Sequence, residues 1–337
     1  MKKLNTGLAA LIAAALLTAC GGGGGGDSTG GGGSEAPAPT PDPTTITVTA
    51  TTPSNLTASD CPRLVSESDS IAALDLSNGS IRAVNDFLLT VDPVHAYKVF
   101  VRAPGDFVNW MAAAGGAANL VTVGAATHET LHMTDSVLRG CATAGAYKVL
   151  LHGSIIHTGL KAGMTSNIGI IDAVVDSALK TEPRYTTYVK NAAAGNDFTV
   201  LLDELAAYAG AAHTDVQMIA KGKAADVTGT LDANIGGTVN FMVYLQYYLQ
   251  AARLNYPTTY DNIRNDPLAI TAIQAIWSRA EQALRDSYAY TREGAAPRLV
   301  VNNTYFDAAY SATLLSELDA IGVTHATRAS WSGTYLP

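Results

Sequence analysis

The sequence predicts an α+β fold that is mostly helical. Apolar residues recur at helical spacing through long segments in the second half of the chain. These helix candidates are residues 198–212, 238–254, 268–288 and 305–321. The strand candidates are short apolar runs, and all of them fall in the first half of the chain. They are residues 94–101, 147–151 and 154–160. We therefore expect a small sheet in the first half and a helical C-terminal subdomain from about residue 235.

The size and charge of the chain narrow the classes of function. Its 337 residues are 47% hydrophobic, which is enough for one large domain or two small ones. The formal net charge is −8 and no Lys/Arg-rich run is present, so nucleic acid is not an expected partner. Alanine and glycine are abundant and the charged fraction is 15%, which suits closely packed helices in a secreted protein.

Residues 1–19 have the pattern of an export signal. Lys2 and Lys3 form a positive region, and residues 8–17 form an apolar stretch too short to span a bilayer. The segment ends Leu17-Thr18-Ala19-Cys20, which resembles the lipobox of bacterial lipoproteins. That resemblance implies cleavage before Cys20 and attachment of the protein to a membrane through a lipid on this cysteine. Gly21, where an Asp would retain the protein at the inner membrane, resembles Gram-negative lipoproteins sorted to the outer membrane.

A low-complexity tether is expected at residues 20–58. Its glycine runs are flexible and its Pro/Thr-rich part is extended, and neither composition can bury a core. The tether would hold a folded body, residues 59–337, away from the membrane. Two cysteines remain in that body, Cys61 and Cys141. In an exported protein such a pair favours a disulfide over two free thiols, and its wide spacing is unlike that of a zinc finger.

Shorter elements are expected ahead of the long helices. Capping residues and apolar spacing predict helices at residues 71–76, 81–89, 107–113, 117–138 and 168–179. A turn is expected at Pro104-Gly105, and a glycine-rich loop over residues 226–237. The helix over residues 117–138 carries the pattern of greatest chemical interest.

That pattern is His128-Glu129-Thr130-Leu131-His132, an H-E-x-x-H motif. On a helix its two histidines lie one turn apart on the same face, so both imidazoles can reach one Zn²⁺. Glu129 stands beside them to act as a base on a bound water. A catalytic zinc ion usually has three protein ligands and one open position. The motif therefore requires a third ligand from elsewhere in the chain.

Two known continuations of the motif fit this chain poorly. The extended metzincin pattern needs Gly and His where this chain has Asp135 and Leu138. The aspzincin pattern needs a later G-T-x-x-D, and Gly229-Thr230-Leu231-Asp232 places its acid one residue early. Asp232 is thus a weaker candidate for the third ligand. His213 is another, although it would lie at the C-terminal end of its helix and face away from Glu204.

The preferred third ligand is Glu204. Asp203-Glu204, followed by small residues and Tyr208, resembles the glutamate helix of gluzincins. The resemblance covers this helix and the H-E-x-x-H helix, and it implies a zincin-like fold in which Glu204 completes the zinc site. The two helices are further apart in sequence than in thermolysin-like members, and the N-E-x-x-S-D arrangement of that branch is absent. Asp203 is expected to hold an imidazole N–H.

Two tyrosines complete the expected site. Tyr185 and Tyr188 precede Glu204, which is similar to the position of an oxyanion-stabilising tyrosine in several gluzincin-like peptidases. A phenol O–H near the metal can donate to the oxyanion that develops during hydrolysis. These features predict a lipid-anchored zinc metallopeptidase that acts on peptides or proteins. The alternative is a surface-tethered binding or scaffold lipoprotein whose motif is accidental or holds a non-catalytic metal.

Overall fold

The computed structural model describes residues 66–113, 122–139, 148–151, 154–161, 163–292 and 303–331. Helices dominate this part of the chain, which confirms the mostly helical architecture. The signal segment with Cys20, the tether, and both Cys61 and Cys141 lie outside the described residues. Lipidation and the disulfide therefore stay predictions. None of the described helices is long and apolar enough to cross a membrane.

Four short helices come first. They are α1 (Glu67–Ala72), α2 (Gly79–Val91), α3 (Ala96–Arg102) and α4 (Pro104–Ala113). The side chains of Ser66 and Asn78 cap α1 and α2 by accepting hydrogen bonds from backbone N–H groups. Pro104 opens α4, where its missing N–H costs nothing, so the turn expected at Pro104-Gly105 is wrong.

The strand expected at residues 94–101 is also wrong, because α3 occupies this segment. The carboxylate of Asp92 accepts hydrogen bonds from the backbone N–H groups of His95 and Ala96, at 3.0 and 3.1 Å. These bonds satisfy donors that the first turn of a helix leaves free. A short apolar run with valines fits a buried helix as well as a strand, so the apolar pattern alone does not separate the two.

The motif lies on α5 (Val123–Arg139), which contacts α3, α4 and the first strand of a hairpin. That hairpin pairs β1 (Lys148–Leu151) with β2 (Ser154–His157) in antiparallel register, with Lys148 opposite His157. Within the described residues no other strand joins it. The small sheet expected in the first half is therefore limited to two short strands.

Irregular turns follow the hairpin where a helix over residues 168–179 was expected. Ile168–Ala173 and Ser177–Leu179 are separate 3-10 turns, each capped by the preceding side chain, Asn167 or Asp176. Tyr185–Lys190 forms one π-helical turn. The single helix predicted here is wrong, because Asn167 and Asp176 each cap a separate short turn.

The central helix is α6 (Phe198–Ala220), which contacts α5, a second long helix α7 (Ala224–Asn255), and a third, α9 (Pro267–Arg292). Nearly all side chains of α6 are buried, polar ones included. It extends beyond residue 212, where the sequence predicted its end, because the core continues on every side. Asp203 and Glu204 consequently lie in the interior instead of facing solvent.

The glycine-rich loop expected over residues 226–237 is wrong, because α7 is helical throughout this stretch. Gly237 lies inside the helix for a packing reason. A Cβ at this position would come within 2.2 Å of the Tyr208 ring, which rests directly on the α7 backbone. The boundary expected near residue 235 falls in the middle of this helix.

The remaining helices cover α7 and complete the core. They are α8 (Pro257–Arg264), α9 (Pro267–Arg292), α10 (Asn303–Ala309) and α11 (Ala312–Asp319). Ser311 caps α11 by accepting from the N–H of Leu314, which divides the helix predicted over residues 305–321 into two. Arg253 of α7 forms a two-pronged ion pair with Glu317 of α11, at 2.6 and 2.9 Å.

Candidate metal centre

Helix α5 places the two histidines of the motif side by side. Val123, Ala126 and Leu131 are fully buried in the core, which fixes the rotation of the helix. His128 Nε2 then lies 3.0 Å from His132 Nε2. His128 is 1% exposed, while the side chain of His132 is 17% exposed. The site therefore opens towards solvent on the His132 side.

Helix α6 brings Glu204 to the same point. Its Oε2 lies 3.8 Å from His128 Nε2 and 3.6 Å from His132 Nε2. A point equidistant from these three atoms lies about 2.0 Å from each, within the roughly 2.0–2.2 Å of zinc–nitrogen and zinc–oxygen bonds. The three side chains can thus hold a metal ion.

The polar atoms of the site also fit a bound cation. Glu204 Oε2 and Glu129 Oε1 are buried and have no hydrogen-bond partner in the described structure. A buried carboxylate oxygen without a donor costs about 1–3 kcal/mol or more. A cation between Glu204 and the two imidazoles would remove this cost at Glu204 and balance the negative charge that α6 buries.

Asp203 supports one of the two imidazoles, as the sequence predicted. Its Oδ1 lies 3.2 Å from His132 Nδ1, near enough to accept a hydrogen bond from that nitrogen, while Nε2 faces Glu204 at 3.6 Å. Burial by itself would lower the pKa of His132, but Asp203 and Glu204 outweigh burial and raise it well above the ordinary value. The same carboxylates that attract a proton to this site would attract a metal ion.

Burial shifts the pKa values of Glu129 and His128 in opposite directions, because it disfavours the charged form of each. Burial raises the pKa of Glu129 to about 7, with Glu204 and Asp203 adding to the effect and His132 opposing it. Burial also lowers the pKa of His128 well below its ordinary value, and His132 adds to that shift. His128 is therefore neutral, as a metal ligand must be, and Glu129 can exchange a proton near neutral pH.

The two predicted tyrosines separate in the structure. Tyr188 is buried, and Glu204 and Glu129 both act on it electrostatically, so that burial and these acids raise its pKa well above the ordinary value. Tyr185 instead donates a hydrogen bond to Asp172 and packs near Tyr244. Of the two tyrosines, Tyr188 is the one on which the acids beside the metal-binding cluster act.

Neither weaker candidate for the third ligand belongs to the cluster of His128, His132 and Glu204. Asp232 lies on α7. His213 lies inside α6 and not at its C-terminal end, and its Nε2 is 3.6 Å from Asp92 Oδ1. The expectation that His213 ends its helix is therefore wrong.

Sequence reasoning missed one residue that supports the site, Arg184. Its Nε donates to the Tyr208 hydroxyl at 3.3 Å, and the Tyr208 ring lies 4.4 Å from the His128 ring, centroid to centroid. Tyr208 lies four residues after Glu204 on α6, so helical spacing places the two on the same face. Arg184 carried no local signal, because it precedes the π-helical turn and meets α6 only through the tertiary fold.

Comparison of the chain with protein-family models, with curated proteins and with solved structures returns no match.

Proposed function

We propose that the protein is a zinc-dependent peptidase in which His128, His132 and Glu204 hold the metal. The observation that carries this proposal is the convergence of the three ligand atoms on a point about 2.0 Å from each. Two imidazoles and one carboxylate match the ligand set of catalytic zinc in hydrolases. Bound zinc would polarise the scissile carbonyl and lower the pKa of a water towards neutrality.

Glu129 is the proposed general base. It is 4% exposed and follows His128 directly on α5, a position in which a carboxylate can act on a metal-bound water. It would remove the proton of the attacking water and then deliver that proton to the leaving amine nitrogen. The Tyr188 hydroxyl, kept protonated by its raised pKa, would donate a hydrogen bond to the carbonyl oxygen as negative charge develops there.

The test compares the purified parent with Glu129→Gln, His132→Ala and the control Glu67→Gln, which changes a partly exposed carboxylate that pairs with Lys98. Metal content is measured by elemental analysis, and hydrolysis by mass spectrometry of a peptide library. We expect about one zinc per chain in every protein except His132→Ala. Hydrolysis should fall by roughly 10²–10⁴-fold in Glu129→Gln, the usual contribution of a general base. Full hydrolysis by Glu129→Gln would refute the mechanism.

A second candidate function is favoured by the burial of the cluster. His128, Glu129 and Glu204 are each at most 5% exposed, which suits an ion held for structure or storage. The protein would then be a non-catalytic, surface-tethered binding or scaffold lipoprotein. Bound metal in the parent together with no cleavage of any library peptide would favour this candidate.

The proposed location is the outer membrane of a Gram-negative bacterium, through a lipid on Cys20. It rests on the lipobox-like Leu17-Thr18-Ala19-Cys20 and the tether that follows. Metabolic labelling with a radioactive fatty acid should mark the parent and not Cys20→Ser. Equal labelling of both would refute lipid attachment at this residue.

A further inference from the structure

The two histidines of the cluster differ in what holds them. A metal-binding histidine usually donates its second ring N–H to a carboxylate or carbonyl, which fixes the orientation of the ring. His132 follows this rule, with Asp203 Oδ1 at 3.2 Å from Nδ1. His128 departs from it, because its buried Nδ1 has no hydrogen-bond partner among the described residues. Its Nε2 lies 3.0 Å from His132 Nε2, but a bound metal would take that nitrogen. With metal bound, something other than a hydrogen bond must therefore orient the His128 ring.

The Tyr208 ring is in position to do so. It meets the His128 ring at a centroid distance of 4.4 Å and an angle of 66°, an edge-to-face contact typical of stabilising aromatic pairs. Tyr208 is 3% exposed and projects from α6 one turn beyond Glu204. Helix α6 thus supplies both the third ligand, Glu204, and the aromatic ring that packs against His128.

Tyr208 is itself held on three sides. Its ring rests on Gly237, where a Cβ would come within 2.2 Å, and it stacks on Phe241 at 5.5 Å and 24°. Its hydroxyl accepts from Arg184 Nε at 3.3 Å. Arg184 is fixed in turn by Glu182 Oε1 and by the carbonyl oxygen of Ala233, both at 2.9 Å.

We infer that Tyr208 is a positioning residue that orients the His128 imidazole for metal binding through ring contact, in place of the missing hydrogen bond. This inference rests on the metal site proposed above, and not on the peptidase activity. The cluster would then have two supports of different kinds, the Asp203 carboxylate for His132 and the enclosed Tyr208 ring for His128.

The test measures Zn²⁺ affinity by competition with a chromogenic chelator, and the absorption spectrum of the Co²⁺-loaded protein at saturation. Tyr208→Phe keeps the ring and should bind as tightly as the parent. Tyr208→Leu removes it and should bind about 10–100-fold more weakly, the usual effect of losing a group that orients a ligand. Its Co²⁺ spectrum should also change, which a purely structural role would not produce.

A matched control is Phe306→Leu, which also replaces a buried aromatic ring but packs against Tyr310 and Trp331, away from the cluster. It should lose stability without losing zinc affinity. Asp203→Ala should also weaken binding, because it removes the carboxylate that lies 3.2 Å from His132 Nδ1. If Tyr208→Leu does not fold, Tyr208→Met fills the space with a flexible chain and takes its place.

The outcomes separate this inference from the proposed function. Parent-like affinity and spectrum in Tyr208→Leu would overturn the inference alone, as would equal losses of affinity in Tyr208→Leu and Phe306→Leu. Metal binding with the expected losses but no hydrolysis would overturn the peptidase and leave the inference standing. A parent that binds neither Zn²⁺ nor Co²⁺ would overturn both.

Discussion

Two adjacent glycines of α7 give a sharp test of how the site is packed. A Cβ at Gly237 would lie 2.2, 2.4 and 2.6 Å from three carbons of the Tyr208 ring, whereas a Cβ at Gly236 would meet only Arg184 Nη1, at 3.9 Å. The first distances are well inside van der Waals contact and the last is an ordinary one. Gly237→Ala and Gly236→Ala therefore make the same chemical change in one helix with opposite packing consequences.

The expected magnitudes follow from this geometry. Replacing a helix-interior glycine by alanine stabilises the helix by about 0.5–1 kcal/mol, and Gly236→Ala should show this gain. Gly237→Ala receives the same gain but must also move a ring enclosed by His128, Phe241 and Arg184. Overpacking of this kind costs about 1–3 kcal/mol, occasionally more. The free energies of unfolding of the two variants should therefore differ by about 1–3 kcal/mol.

The assay is urea unfolding in the presence of a chelator, so that only packing is measured, followed by Zn²⁺ titration. Gly236→Ala should be at least as stable as the parent and bind zinc equally well. Gly237→Ala should be less stable than Gly236→Ala and bind zinc more weakly, because the displaced ring no longer supports His128. Equal stability of the two variants would refute the seating of Tyr208 on Gly237.

Three further outcomes are expected. Burial raises the pKa of Asp215 to about 8. The folded protein therefore keeps a proton that the unfolded chain releases above about pH 4. The free energy of unfolding should fall as the pH rises from about 4 to 8, by at most about 1.4 kcal/mol per pH unit. Urea unfolding of Asp215→Asn should lose this slope, and an unchanged slope would contradict the assignment. A chelator should lower the Tm of the zinc-loaded parent and not that of His132→Ala, since zinc at a hundred times its Kd contributes about 2.7 kcal/mol; a parent Tm that ignores the chelator would argue against the site. Arg253→Met removes the ion-pair partner of the Glu317 carboxylate, which is 2% exposed. The free energy of unfolding should fall by about 1–3 kcal/mol, and the zinc affinity should not change. A loss of zinc affinity would show that this ion pair helps to hold the metal site.

The sequence was most informative where spacing along one helix decides the geometry. His128 and His132 are four residues apart, so any helix places their imidazoles on one face, and the structure has Nε2 of one at 3.0 Å from Nε2 of the other. Asp203-Glu204 could be chosen as the acidic pair because it interrupts an otherwise apolar helix. The long helices followed from apolar periodicity in the same way.

Prediction of secondary structure from the local sequence pattern failed where tertiary packing outweighs the intrinsic preference of the residues. Residues 226–237 contain glycines that normally mark a loop, yet they are helical, and Gly237 makes room for the Tyr208 ring, which a Cβ would meet at 2.2 Å. Residues 94–101 contain valines typical of a strand, yet Asp92 caps them as a helix. In both cases the deciding partner lies outside the segment, so no window of sequence contains it.

By itself the sequence determined which residues could ligate a metal, since ligand chemistry and helical spacing are local properties. Only the tertiary structure decided which acid meets the two histidines, because Glu204 reaches them through the packing of α6 on α5. It also decided that Tyr185 binds Asp172 while the acids of the site act on Tyr188, and that Arg184 holds Tyr208. These choices depend on contacts between distant segments, and such contacts are set by how the whole core is filled.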